Sequence, residues 1–216
     1  MTPKLIHAYF KAKPGSGQIA SEFAIRCVMK AVKRKQPLRI LEVGAGIGTL
    51  TVALFNACLF VDDHVPEIFY VEDDPTCLEA LKRNVPPTWY RMLRRFDITD
   101  GVDPCIEPFD LVIIDGEDPA NVVPYCCGRR ALVVVEGNRR GQRAELELFQ
   151  YAPPAALHLK PWDRSKGVWL YQLHATPRER LVFAIRQLWQ HVLDAGYVAI
   201  CKVCGRPAAL GKKRES

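Results

Sequence analysis

The sequence predicts an α/β protein with a doubly wound, mostly parallel, seven-stranded Rossmann-like sheet and a short C-terminal appendage. Two observations carry this prediction. Short apolar runs alternate along the chain with amphipathic helical segments, which is typical of a parallel sheet covered by helices. The four strongest apolar runs each end on an acid, namely Glu42, Glu72, Asp115 and Glu136. Ligands bind outside the carboxyl ends of the strands in such sheets, so these acids are candidate site residues.

The segments of the first half alternate between helix and strand. Helices are indicated by apolar residues at helical spacing, and buried strands by short continuous apolar runs. In chain order they are a helix between Gly17 and Lys35, the strand "PLRILEV", the helix "TLTVALFNACLF", the strand "EIFYVE" and the helix "DPTCLEALKRN". The last helix has Asp74 as its N-cap and Pro75 at its first position, where both residue types are favoured.

The second half contributes the remaining strands. In chain order the segments are a weaker strand in "WYRMLRR", strong strands in "FDLVIID" and "ALVVVE", a helix over 142–150, and the strands "AALHLK" and "GVWLYQL". The last two are a candidate antiparallel pair because they follow each other closely along the chain. Together these segments complete the predicted sheet.

The pattern changes after residue 175, so we divide the chain into a main domain over residues 1–175 and an appendage over residues 176–216. Thr176, Pro177 and Glu179 occupy the N-cap, first and third positions of a predicted helix. We expect Gly196 to end that helix. Its apolar stripe consists of Leu181, Ile185, Leu188, Trp189 and Val192. The appendage is too short to hold a core of its own.

The appendage also carries a pair of cysteines. Cys201 and Cys204 form a C-x-x-C knuckle in "CKVCG", which is half of a typical zinc site. A structural zinc needs four ligands, and no second C-x-x-C is present in the sequence. Zinc bound within or between chains, two reduced cysteines and a redox pair therefore stay open as alternatives.

The composition limits the classes of protein. The net charge is +6, and the lysines and arginines are clustered, which fits either a solvated surface or a polyanion-binding face. No run approaches the roughly 20 apolar residues of a membrane helix, and no secretory signal is recognisable. Several of the eight cysteines lie in apolar periodic stretches, which indicates a reducing, cytosolic protein.

The stretch "LEVGAGIGTL" holds three closely spaced glycines, Gly44, Gly46 and Gly48, after a strand and before a helix. A P-loop requires a Lys after its last glycine, and none follows Gly48, so nucleoside triphosphate hydrolysis is disfavoured. The dinucleotide fingerprint would place its third glycine one position later. Another nucleoside cofactor, a nicotinamide and a tight turn without a ligand stay open at this point.

The segment "EVGAGIG" resembles the first motif of the class I S-adenosylmethionine-dependent methyltransferases, acid-x-G-x-G-x-G, at every position. The resemblance extends over about residues 17–175 and implies that S-adenosylmethionine (SAM) is the cofactor. It also implies that Glu72 binds the ribose hydroxyls, that Asp97 lies near the adenine and that Asp115 lies beside the reacting methyl group. The remaining implied cofactor contacts are Glu42, Gly44, Gly46 and Gly48. A carboxylate accepts hydrogen bonds from two vicinal hydroxyls, and an acidic rim formed by Glu42, Asp97 and Asp115 attracts a sulfonium cation.

The segment "LVIIDGED" is similar to that of the small O-methyltransferases, some of which hold a divalent cation between strands four and five. Here Glu136 and Asn138 replace the Asp-Asn pair of that family, so a cation at Asp115 is in doubt. Glu136 is otherwise a candidate general base or a helix cap. The same segment also resembles the aminopropyltransferases, in which Asp115 and Asp118 would bind an amine.

The expected acceptor of the methyl group is a small-molecule hydroxyl or amine. The alternative is a nucleic-acid-associated methyltransferase, or a regulatory module that binds the cofactor, with the basic tail 212–214 contacting phosphates. No membrane partner is expected. The sequence does not determine the oligomeric state, and a homodimer is one option.

Overall fold

The computed structural model describes residues 1–59, 65–96, 108–115, 127–137, 155–159, 167–172 and 175–203. The α-helices in these stretches are α1 (Pro3–Lys11), α2 (Glu22–Lys35), α3 (Thr49–Cys58), α4 (Pro75–Asn84), α5 (Pro87–Tyr90) and α6 (Pro177–Val203). The strands are β1 (Arg39–Val43), β2 (Glu67–Val71), β3 (Leu93–Arg95), β4 (Phe109–Ile114), β5 (Cys127–Glu136), β6 (Ala155–Leu159) and β7 (Val168–Gln172).

All these strands form one sheet in the order β3-β2-β1-β4-β5-β7-β6. The pairs from β3 to β5 are parallel, whereas β7 runs antiparallel to both β5 and β6. The predicted α/β class and the antiparallel pairing of the last two strands are therefore confirmed. The strand order reverses between β1 and β4, and this switch point is where open α/β sheets bind their ligands.

The core lies on the two faces of this sheet, as the alternation along β1 illustrates. Ile40 belongs to a cluster shared with buried residues of α1, α2, α3 and α4. Leu41 and Val43 belong to a second cluster, which contains Phe109 and Tyr171. Successive side chains of a strand point to opposite faces, so an apolar strand such as β1 contributes to both clusters.

The N-terminal segment contains a helix that the sequence analysis did not predict. In α1, Thr2 is the N-cap, and Ile6 and Phe10 are buried. The next helix begins later than Gly17, because a short 3₁₀ turn over Ser16–Gln18 comes first. Ser21 then caps α2 and accepts a hydrogen bond from the Ala24 amide.

The predicted start of α4 is confirmed, since Asp74 Oδ1 accepts hydrogen bonds from the amides of Thr76 and Cys77. The predicted start of α6 is confirmed as a capping box. The Thr176 hydroxyl accepts from the Glu179 amide at 3.2 Å, while the Glu179 carboxylate accepts from the Thr176 amide at 2.8 Å.

The predicted end of α6 at Gly196 is wrong, because the helix continues to Val203. A glycine inside a helix costs only about 1 kcal/mol relative to alanine, and such a cost does not by itself end a helix. Cys201 consequently lies in the last turn of α6, not in a loop.

Two of the cysteines predicted to be core residues are buried free thiols. Burial raises the pKa of Cys27 to about 11 and that of Cys58 to about 12, so both thiols stay protonated and unreactive.

A cytosolic location stays a prediction. Among the helices that the structure describes, none combines the length and apolarity needed to span a membrane.

Several predicted features lie outside the described residues: Asp97, Asp118, Asn138, Cys204, the helix over 142–150 and the basic tail 212–214. The division of the chain at residue 175 likewise stays a prediction.

Candidate cofactor site

The glycine-rich turn connects β1 to α3 and is held against β2. Its three glycines have positive φ angles of 80° at Gly44, 53° at Gly46 and 98° at Gly48, which L-residues with side chains rarely adopt. The amides of Gly44 and Ala45 donate to the Val71 carbonyl at 3.0 and 3.2 Å. The turn is therefore fixed to the end of the neighbouring strand.

The second and third glycines of the turn meet different surroundings. A Cβ atom at Gly48 would lie 2.9 Å from Leu81 Cδ1 and 3.0 Å from Val85 Cγ2, so this glycine lets α4 pack against the turn. A Cβ atom at Gly46 would meet nothing within 4 Å. Gly46 borders open space that a ligand can approach closely, whereas Gly48 serves internal packing.

Glu72 directly follows β2, and backbone amides fix its carboxylate. Oε2 accepts from the Gly46 amide at 2.6 Å, and Oε1 accepts from the amides of Asp73 at 3.0 Å and Asp74 at 2.9 Å. A carboxylate has about four acceptor positions, so capacity remains for a ligand hydroxyl. The amides orient the group before any ligand arrives.

A cavity of about 680 Å³ opens at the switch point, within the size range of about 300–1,000 Å³ that is usual for small-molecule sites. The register of the sheet places Gly44, Glu72 and Asp115 side by side, each directly after the carboxyl end of its strand. The Asp115 amide donates to the Val43 carbonyl at 2.9 Å, which holds this acid beside the turn. The lining includes Gly17, Gly44, Gly46, Thr49, Glu72, Asp73, Asp74, Cys77 and Asp115.

Thr49 is a polar lining residue that the sequence analysis did not identify. It is buried at the first position of α3, and its hydroxyl has no hydrogen-bond partner among the described residues. The N-cap of α3 is Gly48, which has no side chain to satisfy the first amides of the helix. An orphaned hydroxyl at the start of a helix without a side-chain cap fits a polar ligand group at this wall of the cavity.

Cys77 lines the cavity beside the acids that follow β2. Partial burial and the neighbouring carboxylates of Glu72 and Asp74 raise the pKa of this thiol. It is therefore protonated at neutral pH and reacts slowly.

The segment "PGSGQ" forms part of the opposite wall and was also missed by the sequence analysis. Gly15 has a φ of +82°, and a Cβ atom there would lie 3.1 Å from Ile47 Cγ2. Gly17 and Gln18 line the cavity from the same segment. In the sequence, the two glycines separated by one residue were the only local feature of this segment that indicated a close approach to another part of the chain or a ligand.

Glu42 lies beneath the glycine turn and does not line the cavity. It is 0% exposed, and its Oε2 accepts from the Thr51 hydroxyl at 2.7 Å. Burial raises the pKa of Glu42 to about 8, and nearby Glu72 adds to the rise. A direct role of Glu42 in cofactor binding stays a prediction.

Glu136 ends β5 and is buried against the start of α2. Its Oε1 accepts from the amide and the hydroxyl of Ser21 at 3.3 and 3.4 Å. The carboxylate thus joins the sheet to the residue that caps α2.

Within the described stretches, no three His, Cys, Asp or Glu side chains come together as metal ligands.

No protein-family model matches the chain, and no curated protein matches its sequence. Its structure is similar to that of an O-methyltransferase from Bacillus cereus in complex with SAH, with a TM-score of 0.62 at 14% identity, covering 80% of this chain and 90% of that one. The O-methyltransferase TomG from Streptomyces achromogenes, in complex with SAM, gives 0.60 at 16% identity, covering 80% and 88%.

The SAH-bound methyltransferase PaMTH1 from Podospora anserina is a further similar structure, with a TM-score of 0.58 at 14% identity, covering 81% of this chain and 88% of that one. These matches extend over most of both chains in each comparison. The protein therefore has the Rossmann-like fold of these methyltransferases, as its glycine motif and strand-end acids predicted.

Proposed function

We propose that the protein is a methyltransferase that uses SAM. The observation that carries this proposal is the fixed carboxylate of Glu72 beside the open backbone of Gly46, at the switch point of the sheet. A nucleoside cofactor needs both a carboxylate for its ribose hydroxyls and a backbone it can approach closely. The methyltransferases of this fold named above are bound to SAM or SAH, which supports the same choice.

Five of the lining residues have a proposed role that follows from their surroundings. Glu72 accepts hydrogen bonds from the two ribose hydroxyls, and Gly44 and Gly46 admit the cofactor to the turn. Asp115, level with Glu72 at the edge of the sheet, lies beside the reacting methyl group and is the catalytic candidate. We add Thr49, whose hydroxyl would bind a polar group at the methionine end of SAM.

We assign Glu136 to positioning and not to proton transfer. Its hydrogen bonds to Ser21 support a role in holding α2, whose preceding residues line the cavity. We include neither zinc at Cys201 and Cys204 nor a divalent cation at Asp115. Cys204 and Asn138, which those metal sites would need, lie outside the described residues.

The proposed acceptor is a small molecule with a hydroxyl or amine group. The similar structures described as O-methyltransferases favour oxygen. Methyl transfer is an in-line displacement at a carbon that the sulfonium already activates, so the protein mainly has to align the acceptor with the methyl group. A base that removes the acceptor proton increases the rate, and Asp115 is the proposed base.

Isothermal titration calorimetry with SAM tests the cofactor assignment. Glu72→Gln should weaken SAM binding by about 10- to 100-fold, because the amide loses charge-assisted acceptance from the ribose hydroxyls. Glu67→Gln is the matched control, since Glu67 is the first residue of the strand that Glu72 follows and lies at its opposite end. Equal affinities of the two variants would refute the role of Glu72, and no binding to the wild-type protein would refute SAM as the cofactor.

A transfer assay with methyl-labelled SAM tests the reaction. Pools of small hydroxyl and amine compounds are compared with RNA and DNA pools, and Asp115→Asn serves as the inactive variant. We expect label in a small molecule and a loss of about 100-fold or more in the variant. Label that enters only nucleic acid would refute the proposed acceptor class.

A further inference from the structure

Helix α6 carries an apolar strip that faces solvent. We call this strip the α6 seam and define it as Leu181, Ile185, Leu188 and Val192, with Val182 and Trp189 alongside. These six side chains are between 37 and 64% exposed, although all of them are large and apolar. Single exposed apolar residues are ordinary on protein surfaces, but a continuous strip of this size marks an interaction surface.

The other side of α6 packs against the protein itself. The helix contacts β6, and Phe183 and Gln187 are half-buried between the exposed positions. These two residues are four apart and lie on one face of the helix. The α6 seam is therefore an apolar face on the side of α6 opposite Phe183 and Gln187.

The spacing of the α6 seam is that of a coiled coil. Its four central residues are separated by four, three and four positions, which is the a/d spacing of a heptad repeat. Ile185 and Val192 take the a positions, and Leu181 and Leu188 take the d positions. β-Branched residues at a with leucine at d favour two parallel strands over larger assemblies.

The flanking positions also fit a pair of identical helices. In a parallel pair the g residue of one helix lies beside the e residue of the next heptad of the other. Ala184 is at g and Trp189 is at e, so each Trp189 would meet the small Ala184 of the partner subunit. Neither position carries a charge that would repel its copy.

The area of the strip matches what a dimer needs. The six residues expose roughly 600 Å² per chain, so a symmetrical pair would bury at most about 1,200 Å² in total, which reaches the lower limit of specific interfaces. The capping box and the 27 residues of α6 give the seam a rigid support. Buried area alone does not set the affinity of such a dimer, so the affinity has to be measured over a range of protein concentrations.

We infer that a second copy of this chain covers the α6 seam and that the two α6 helices form a parallel two-stranded coiled coil. Within the seam, Leu181, Ile185, Leu188 and Val192 pack against their counterparts. The described residues that line the proposed cofactor site include none from α6, so this dimer is separate from that site.

Sedimentation equilibrium of the full-length protein between about 1 and 100 µM tests the inference. The wild-type protein should reach twice the mass of one chain within this range. Leu188→Glu should weaken dimerisation by about 100-fold or more, because it places two charges in a buried apolar layer. Leucine and glutamate are both good helix formers, so circular dichroism of the monomer should be unchanged.

The matched control is Arg186→Glu, since Arg186 is exposed two residues away on the same helix but outside the seam. This variant should dimerise with a Kd within about threefold of wild type. A wild-type protein that stays monomeric at 100 µM would overturn the inference. So would equal dimerisation of the two variants, or a monomer whose seam binds anionic lipid vesicles.

A cysteine placed in the seam tests the parallel orientation. Leu181→Cys should form an intermolecular disulfide under mild oxidation, because the two d positions meet in a parallel pair. In an antiparallel pair the two residues would be displaced along the seam by about 16 Å or more, the rise over eleven helical residues. The wild-type protein under the same oxidation controls for native cysteines, and absence of the added disulfide would refute the parallel arrangement.

Discussion

Replacing Glu42 by Gln should make the protein less sensitive to pH, because this carboxyl is fully buried and burial is the main influence on its pKa. It is 0% exposed, and Thr51 donates to its Oε2. Its Oε1 has no hydrogen-bond partner among the described residues. Burial penalises the charged form and raises the pKa from 4.5 to about 8, so the folded protein holds a proton here at pH 7.

The size of the effect follows from the two pKa values of Glu42. One pKa unit corresponds to about 1.4 kcal/mol, so the difference between 4.5 and about 8 is worth roughly 5 kcal/mol. The folded state keeps the proton that the unfolded chain releases in this interval. The free energy of unfolding therefore falls as pH rises from about 4.5 to about 8, and roughly 2 to 3 kcal/mol of that fall lies between pH 5 and pH 7.

Urea unfolding at pH 5, 6, 7 and 8 measures this effect. Glutamine does not titrate, so the stability of Glu42→Gln relative to wild type should increase by roughly 2 to 3 kcal/mol between pH 5 and pH 7. All other titrating groups are common to both proteins and cancel in the difference. Glu22→Gln is the control, because Glu22 is a partly exposed partner of Arg26 and should give a nearly constant difference.

The slope with pH, and not the absolute stability, decides the outcome. The added amide of Glu42→Gln could lower stability by a constant amount if its N–H groups lack acceptors, and this cost does not change with pH. A difference that stays level between pH 5 and pH 8 would show that Glu42 ionises as it does in water. The proposed burial of a protonated carboxyl beneath the glycine turn would then be wrong.

Three further predictions separate packing from ligand binding around the cavity. Gly48→Ala should lower the free energy of unfolding by about 2 to 4 kcal/mol in urea titrations, because its Cβ would lie 2.9 Å from Leu81 and its φ is +98°. Gly46→Ala should lower the free energy of unfolding by only about 1 kcal/mol, but it should weaken SAM binding in calorimetry by tenfold or more. Saturating SAM should slow alkylation of the lining residue Cys77 by at least about fivefold, measured by mass spectrometry of the modified peptide, and an unchanged rate would contradict the placement of SAM. Thr49→Val should reduce SAM affinity by about 5- to 20-fold without loss of stability, since the hydroxyl it removes has no partner among the described residues; an unchanged affinity in calorimetry would exclude Thr49 from the site.

The position of the two switch-point acids at strand ends can be read from the sequence because two local signals agree. Glu72 and Asp115 each follow an apolar run directly, and they are the first residues after β2 and β4. The end of a strand and the edge of a parallel sheet coincide, so position along the chain is enough to bring both acids to the cavity.

Glu42 looks the same in the sequence but lies one residue inside its strand, since β1 ends at Val43. The register then sets Gly44, and not Glu42, level with Glu72 and Asp115. Because successive side chains of a strand point to opposite faces, Glu42 points to the face that α3 covers, where the Thr51 hydroxyl donates a hydrogen bond to it. An error of one residue in a strand end therefore changes a rim acid into a buried one.

Contacts between distant segments were beyond the reach of sequence patterns. Gly46 and Gly48 belong to one motif, yet only the packing of α4 distinguishes a ligand-facing glycine from a structural one. Gly17 lies about 25 residues before the motif, and only the folded chain brings it to the same cavity. The end of α6 was predicted wrongly because a single glycine costs a helix only about 1 kcal/mol, and the helix continues through Gly196 to Val203.

The strand-end acids are thus divided between two tasks, and this division explains how so many carboxyl groups coexist at one edge of the sheet. Like charges held close together raise one another's pKa and destabilise the fold. Glu42 avoids this repulsion by keeping its proton, and Glu136 accepts two hydrogen bonds from Ser21 away from the cavity lining. The acidic side chains that line the cavity among the described residues are Glu72 and Asp115, together with Asp73 and Asp74 in the loop after β2. Among the described residues, the acidic side chains at the cavity therefore come largely from the loop after β2 and not from the acid of the glycine motif.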